Sequence, residues 1–207
     1  MNKPFLIGLT GYAGVGKNTL ARILCSKLPN AIEISIAKKL REDLASMFHS
    51  VGIDVYTENR ELKKIIRPAL VEVAKAMRAL SEGEYYWKKA EERLSDLTFY
   101  GIPLDYAIIT DLRDAQYKNG EHNWIKNNGM IVSMTATNHI VRSMVGPANS
   151  DELENGKILT EIADEKFHWS LCGPEATDID IYAQNKLEVD NLIQKILSIN
   201  DRPKQTN

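Results

Sequence analysis

Three features of the 207-residue chain predict an α/β domain with a parallel sheet covered on both faces: a first short apolar run that stops at a glycine-rich turn, further short apolar runs downstream, and segments of helical periodicity between them. Parallel neighbours need crossover connections, and a helix is the usual crossover, so the alternation of the two patterns sets the architecture class.

The composition supports a packed core. Apolar residues make up 43%, charged residues 26% and aromatic residues 7%, the proportions of an ordinary globular protein and not of a disordered tail, a collagen or a disulfide scaffold. At about 150 residues per domain the length predicts residues 1–207 as one domain with inserted segments, burying about 70% of the unfolded surface. Lys and Arg number 26 against 28 Asp and Glu, so no global field attracts polyanions; a small-molecule partner is expected and a nucleic acid is not. Cys25 and Cys172 lie far apart with no Cys-x-x-Cys or Cys/His cluster, which reads as reduced intracellular thiols. No apolar stretch reaches the roughly 18 residues of a membrane span, so the expected location is the cytoplasm, without a membrane partner.

The elements follow in order. Residues 5–9 (FLIGL) read as a buried strand, and residues 19–28 carry Leu20, Ile23, Leu24 and Leu28 at helical spacing before Pro29 and Asn30 end the segment. Residues 31–37 (AIEISIA) alternate as a strand does. Residues 38–98 form a mostly helical insertion: Leu62, Ile65, Ile66, Ala69, Leu70, Val73, Ala74 and Met77 mark one buried helical face, which Pro68 should kink or split. Residues 106–110 (YAIIT) and 130–134 (MIVSM) read as two more strands, joined by a helix or an irregular crossover. Residues 136–176 are polar and irregular and read as a lid-like flap; residues 178–182 (DIDIY) read as the last strand, 187–199 as a closing amphipathic helix and 200–207 as a frayed tail.

Chemistry concentrates first in Gly11-Tyr12-Ala13-Gly14-Val15-Gly16-Lys17-Asn18-Thr19, placed between the first strand and the first helix. That context is the one a phosphate-binding G-x-x-x-x-G-K loop requires. Glycines let successive backbone N–H groups converge on phosphate oxygens, the helix N-terminus adds its positive end, and Lys17 supplies a cation for the β- and γ-phosphates. Gly11, Ala13, Gly14, Val15, Gly16, Lys17, Asn18 and Thr19 are thus the expected nucleotide contacts, and the fold expectation sharpens to a phosphate-loop NTPase three-layer sandwich with about five parallel strands. Asn18 stands where Ser or Thr usually ligates magnesium; its carbonyl can take that place, while Thr19 comes one position later.

A basic stripe of Arg60, Lys64, Arg67 and Arg78 runs along the long helix, and arginine suits bidentate phosphate recognition. Arg67 and Arg78 stand roughly 16 Å apart along a straight helix, so one would hold phosphate while the other meets base or sugar. Asp111 directly follows the YAIIT strand, with Arg113 and Asp114 just after, at the carboxyl end where ligands of open α/β sheets collect. A carboxylate there can hold magnesium or its waters. Arg142, in the flap, is a closing arginine that would neutralise charge on a transferred phosphoryl group. His49, His122, His139 and His168 lack metal spacing and a matching nucleophile, and Trp87, Trp124 and Trp169 read as packing anchors.

Taken together, the chain resembles the deoxynucleoside monophosphate kinases of tailed bacteriophages. The similarity is carried by LTGYAGVGKNTLA; by Ala37-x-x-Leu40-Arg41; by the run from Lys64 to Trp87 with Arg67, Arg78 and Tyr86-Trp87; by ITDLRD; and by DIDIYAQN. The flap departs from the family, offering Arg142 and His168-Trp169-Ser170-Leu171 where relatives often carry several arginines or a His-x-Ser-Glu element. The resemblance implies transfer of the γ-phosphoryl of ATP, with Mg2+, to a deoxynucleoside 5′-monophosphate. It implies Lys17, Arg113 and Arg142 as catalytic, Arg41, Arg67, Arg78, Asp111 and Arg113 as substrate contacts, and Asn18 and Asp111 as metal contacts, partly through water. A phage-encoded chain would work in the host cytoplasm, and a homodimer stays open. A kinase of another small phosphorylated or hydroxyl metabolite, as a dephospho-coenzyme A kinase is, and a non-catalytic ATP-binding switch are the alternatives.

Overall fold

In the computed structural model, described over residues 3–12, 14–57, 59–136, 150–169 and 178–200, the glycine-interrupted apolar run is the central strand of the sheet. Strand β1 (Phe5–Thr10) lies between β3 (Tyr106–Ile109) and β4 (Gly129–Ala136); β2 (Ala31–Ile34) and β5 (Glu165–Trp169) form the edges, giving the order β2-β3-β1-β4-β5. All four pairings are parallel, with Ile7 opposite Ile108 and Met130, and Met134 opposite Phe167.

Alternation along the strands feeds two cores. Ile7, Leu9, Ile108, Met130 and Val132 point to one face, where they meet α1 (Lys17–Lys27) and α8 (Lys186–Asn200) through Leu20, Leu24, Val189 and Ile196. Leu6, Ala107, Ile109 and Ile131 point to the other, against α4 (Tyr85–Phe99), α5 (Glu121–Asn128) and α6 (Ser150–Ile162) through Tyr86, Leu94, Trp124, Ile125 and Leu159. Central strands buried on both faces explain the near-continuous apolar runs in the sequence. The result is a three-layer α/β sandwich of five parallel strands.

The insertion between β2 and β3 is helical, with α2 (Ile36–Ser50), α3 (Arg60–Leu80) and α4; of the α3 face expected to be buried, Ile66 and Ala74 are, whereas Leu62, Ile65 and Ala69 are exposed. Phe48, Val55 and Ile66 form a small core of their own between α2 and α3. Helix α3 runs through Pro68 unsplit. Pro68 and Ala69 face solvent, where water can serve the carbonyl that the missing N–H leaves unpaired. Asn59 caps α3, its Oδ1 accepting from the N–H groups of Glu61 and Leu62 at 2.9 and 3.2 Å.

Two expectations are corrected. The last strand is not 178–182 but Glu165–Trp169, inside the segment read as an irregular flap; 178–182 belongs to helix α7 (Asp178–Gln184). In β5 only Phe167 and Trp169 are buried while Lys166 and His168 face out, the alternation of a one-sided edge strand, which the polar composition of the region masked. With that edge position taken, DIDIY winds into a helix whose Ile181 and Tyr182 pack on the first core. Likewise the flap is partly regular: β4 extends to Ala136 and α6 precedes β5. No helix among the described residues is long and apolar enough to cross a membrane.

Candidate active site

The carboxyl ends of β1, β2, β3 and β4 converge on one edge of the sheet, and the sequence places its polar loops there. At the end of β1 the chain turns through Gly11 (φ 139°), Gly14 (φ 80°) and Gly16 (φ 88°) into α1. These left-handed values favour glycine, and the space demands it as well: a Cβ on Gly16 would stand 2.8 Å from Trp169 Nε1, and one on Gly11 2.7 Å from the Met134 carbonyl. No acidic residue occupies the first turn of α1, so its positive end is available to an anion. Lys17 is buried, and its ammonium donates to the carbonyl oxygens of Gly11 at 2.7 Å and Tyr12 at 3.0 Å. Asn18 is exposed and Thr19 half-buried on the first turn. Ala13 lies outside the described residues, as does Arg142.

Beside the loop lies a cavity of about 520 Å3, bordered by Gly11, Tyr12 and Val15, by the end of β4 and by Gly156, Lys157 and Thr160 of α6. A second cavity, of about 350 Å3, lies between α2, α3 and the end of β3. Arg41, Arg67, Arg78, Asp111 and Arg113, spread over more than seventy residues of sequence, all line this second cavity, joined by Lys63 and Lys75. Much of the remaining wall is apolar, with Ile36, Leu40, Val55, Ile66, Leu70 and Val71, and Thr57 and Asn155 add polar groups. Arg113 lines both cavities and is the one described residue that does.

Asp111 is tied to the neighbouring strand end. Ser35 Oγ donates to Asp111 Oδ2 at 2.6 Å, and Thr110 Oγ1 donates to the same oxygen at 3.4 Å. Ser35 also accepts from the N–H of Lys38 at 3.2 Å, capping α2.

Arg78 is arranged differently from the expectation. Its Nε and Nη2 both donate to Glu121 Oε1, at 2.9 and 2.6 Å, and Glu121, at the start of α5, is fully buried. Packing Arg78 against α5 commits two of its N–H groups to protein, away from a phosphate. The guanidinium also covers the Tyr86 ring, 5.0 Å from its centroid. Burial pushes the Tyr86 phenol up to about 12, so it is neutral at physiological pH. Asp114, 3% exposed, completes the cluster, its carboxyl raised above the ordinary 3.8 by burial and then by the Glu121 charge. Sequence reasoning missed Ser35 and Glu121. Ser35 carried a signal, a serine directly before a helix; Glu121, 43 residues from Arg78, carried none.

The glycine loop, the open positive end of α1 and the buried ammonium fit a polyphosphate. The described residues contain no group of three or more His, Cys, Asp or Glu side chains able to hold a metal ion. Asn18 is exposed on the first turn of α1, and Asp111 lines the second cavity.

Fold and site together define an α/β protein with a glycine-rich loop between β1 and α1 and a cationic second cavity that shares Arg113 with the cavity beside that loop. No protein-family model and no curated protein matches the chain. In overall trace it is similar to the dephospho-CoA kinase of Campylobacter jejuni (16% identity over 94% of this chain and 98% of that one, TM-score 0.46), to the shikimate kinase of Aquifex aeolicus (15%, 96% and 99%, TM-score 0.42) and to that of Bacteroides thetaiotaomicron (15%, 94% and 97%, TM-score 0.45).

Proposed function

We propose that the protein is a phosphotransferase that moves the γ-phosphoryl group of magnesium ATP to the phosphate of a deoxynucleoside 5′-monophosphate. The observation that carries this reading is the second cavity: cationic side chains from α2, α3 and the β3 end line a largely apolar pocket that shares Arg113 with the cavity beside the glycine loop. Such a lining suits a ligand with a phosphate at one end and a flat, weakly polar base at the other.

In this reading the loop amides and Lys17 bind the polyphosphate tail of the donor. Arg41 and Arg67 grip the acceptor phosphate, while Ile36, Leu40 and Leu70 receive the nucleoside. Arg113, bordering both cavities, stands where charge accumulates on the phosphoryl group in transit. The bond from the γ-phosphorus to the β–γ bridging oxygen breaks, a bond to an acceptor phosphate oxygen forms, and ADP and a nucleoside diphosphate leave. The acceptor phosphate is already a nucleophile, so no general base is required and catalysis consists of positioning and charge neutralisation. Asn18 and Asp111, with the phosphates, would hold a magnesium ion, which would supply further neutralisation. The deoxy preference rests on the sequence resemblance alone.

The test is ADP formation from magnesium ATP with each deoxy- and ribonucleoside monophosphate, dephospho-coenzyme A and shikimate offered separately. Monophosphate-dependent ADP release is expected. Release with only one of the other two acceptors would reassign the substrate, and binding of ATP with no transfer to any of them would make the protein a switch.

A further inference from the structure

Two arginines of the acceptor cavity meet one carboxylate. Glu121 Oε1 takes both donors from Arg78, and Oε2 accepts from the main-chain N–H of Arg113 at 3.4 Å. Glu121 has no exposed surface, and the Arg78 side chain is 13% exposed, so the pair is shielded from the solvent that would weaken it. The same guanidinium is flanked by Asp114, whose Oδ2 is buried without a hydrogen-bond partner. One cation therefore faces two buried carboxylates, and its charge is spent inside the wall of the cavity.

Building on the phosphotransferase reading, we propose that Glu121 is the positioning residue of the acceptor cavity: it withholds Arg78 from the acceptor phosphate and fixes the main chain at Arg113. Arg78 then serves as a wall, lying over Tyr86. A carboxylate is required because it offers two acceptor oxygens, one for each arginine; a carboxamide offers one.

The probe is inorganic phosphate, titrated by calorimetry into protein whose loop is saturated with ADP, alongside KM and kcat for the acceptor monophosphate. In Glu121→Gln the Arg78 charge is released, and phosphate should bind about three- to tenfold more tightly, with KM falling in step, while kcat drops at least about tenfold as Arg113 loses its anchor. A general structural defect would raise KM or leave the ratio of the two constants unchanged. The double variant Arg78→Met/Glu121→Gln removes the buried pair without stranding either charge, and Asp114 can take up a proton; it tests the proposal even where the single variant fails to fold. Its phosphate affinity should stay within about twofold of the parent.

Phosphate affinity unchanged in Glu121→Gln, absent in the parent, or weakened about tenfold or more in the double variant would overturn the proposal, the last making Arg78 a phosphate ligand. These outcomes are separate from the failure of the phosphotransferase reading, which would appear as phosphate binding that responds to Glu121 in a protein that forms no ADP with any acceptor.

Discussion

The hydroxyl of Ser35 donates to Asp111 Oδ2 at 2.6 Å across 76 residues of sequence. Ser35 directly follows β2 and caps α2, while Asp111 lies two residues past β3, so one hydroxyl joins the helix that carries Arg41 to the loop after β3 that carries Arg113. The orientation of the carboxylate and the start of the second cavity's wall are thereby set together.

Ser35→Ala removes both links. Loss of the cap should cost about 1 kcal/mol of stability, read as a lowered midpoint in urea with unchanged slope. Loss of the Asp111 bond should lower kcat/KM for the acceptor by about tenfold, and Ser35→Thr, which keeps the hydroxyl, should recover most of both.

Lys17→Ala should reduce transfer by about two to three orders of magnitude, measured as ADP release under saturating ATP. The far-ultraviolet circular dichroism spectrum should be unchanged, because the ammonium donates to the carbonyls of Gly11 and Tyr12, in the loop that follows β1.

Arg67 and Arg113 should separate kinetically. Arg67→Ala removes a cation from the cavity proposed for the acceptor, so KM for the monophosphate should rise about tenfold with kcat little altered. Arg113→Ala removes a cation shared by both cavities, so kcat should fall by about two orders of magnitude. Equal effects on both constants in the two variants would remove the distinction.

Asp114 gives a pH signature. Its folded pKa lies above the ordinary 3.8, so between these values the folded state holds more protons than the unfolded one, and stability falls as pH rises through that window. Asp114→Asn keeps an acceptor for the N–H of Gln116 and removes the buried charge. It should raise the melting temperature at pH 7, the gain shrinking as pH is lowered toward 3.8.

The features legible in sequence were those with local causes. The strand–loop–helix around Lys17 and the central strands were readable because doubly buried strands are uninterrupted apolar runs and phosphate loops need glycine at fixed offsets. Arg41, Arg67, Asp111 and Arg113 were placed from motif positions, and the fold brings them to one cavity. The fifth strand was missed because residues 165–169 bury only alternate side chains at a sheet edge, which reads as polar loop, whereas DIDIY alternates without being a strand.

By itself, the sequence determined the sandwich class, the phosphate loop and the residue types at the strand ends, since these follow from periodicity, turn chemistry and charge within a few residues of chain. Only the tertiary structure decided that the charge of Arg78 is paired inside the protein. That depends on partners such as Glu121, brought from 43 residues away and stripped of water by the packing of α5 against the sheet, where a carboxylate and a guanidinium interact far more strongly than on an open surface.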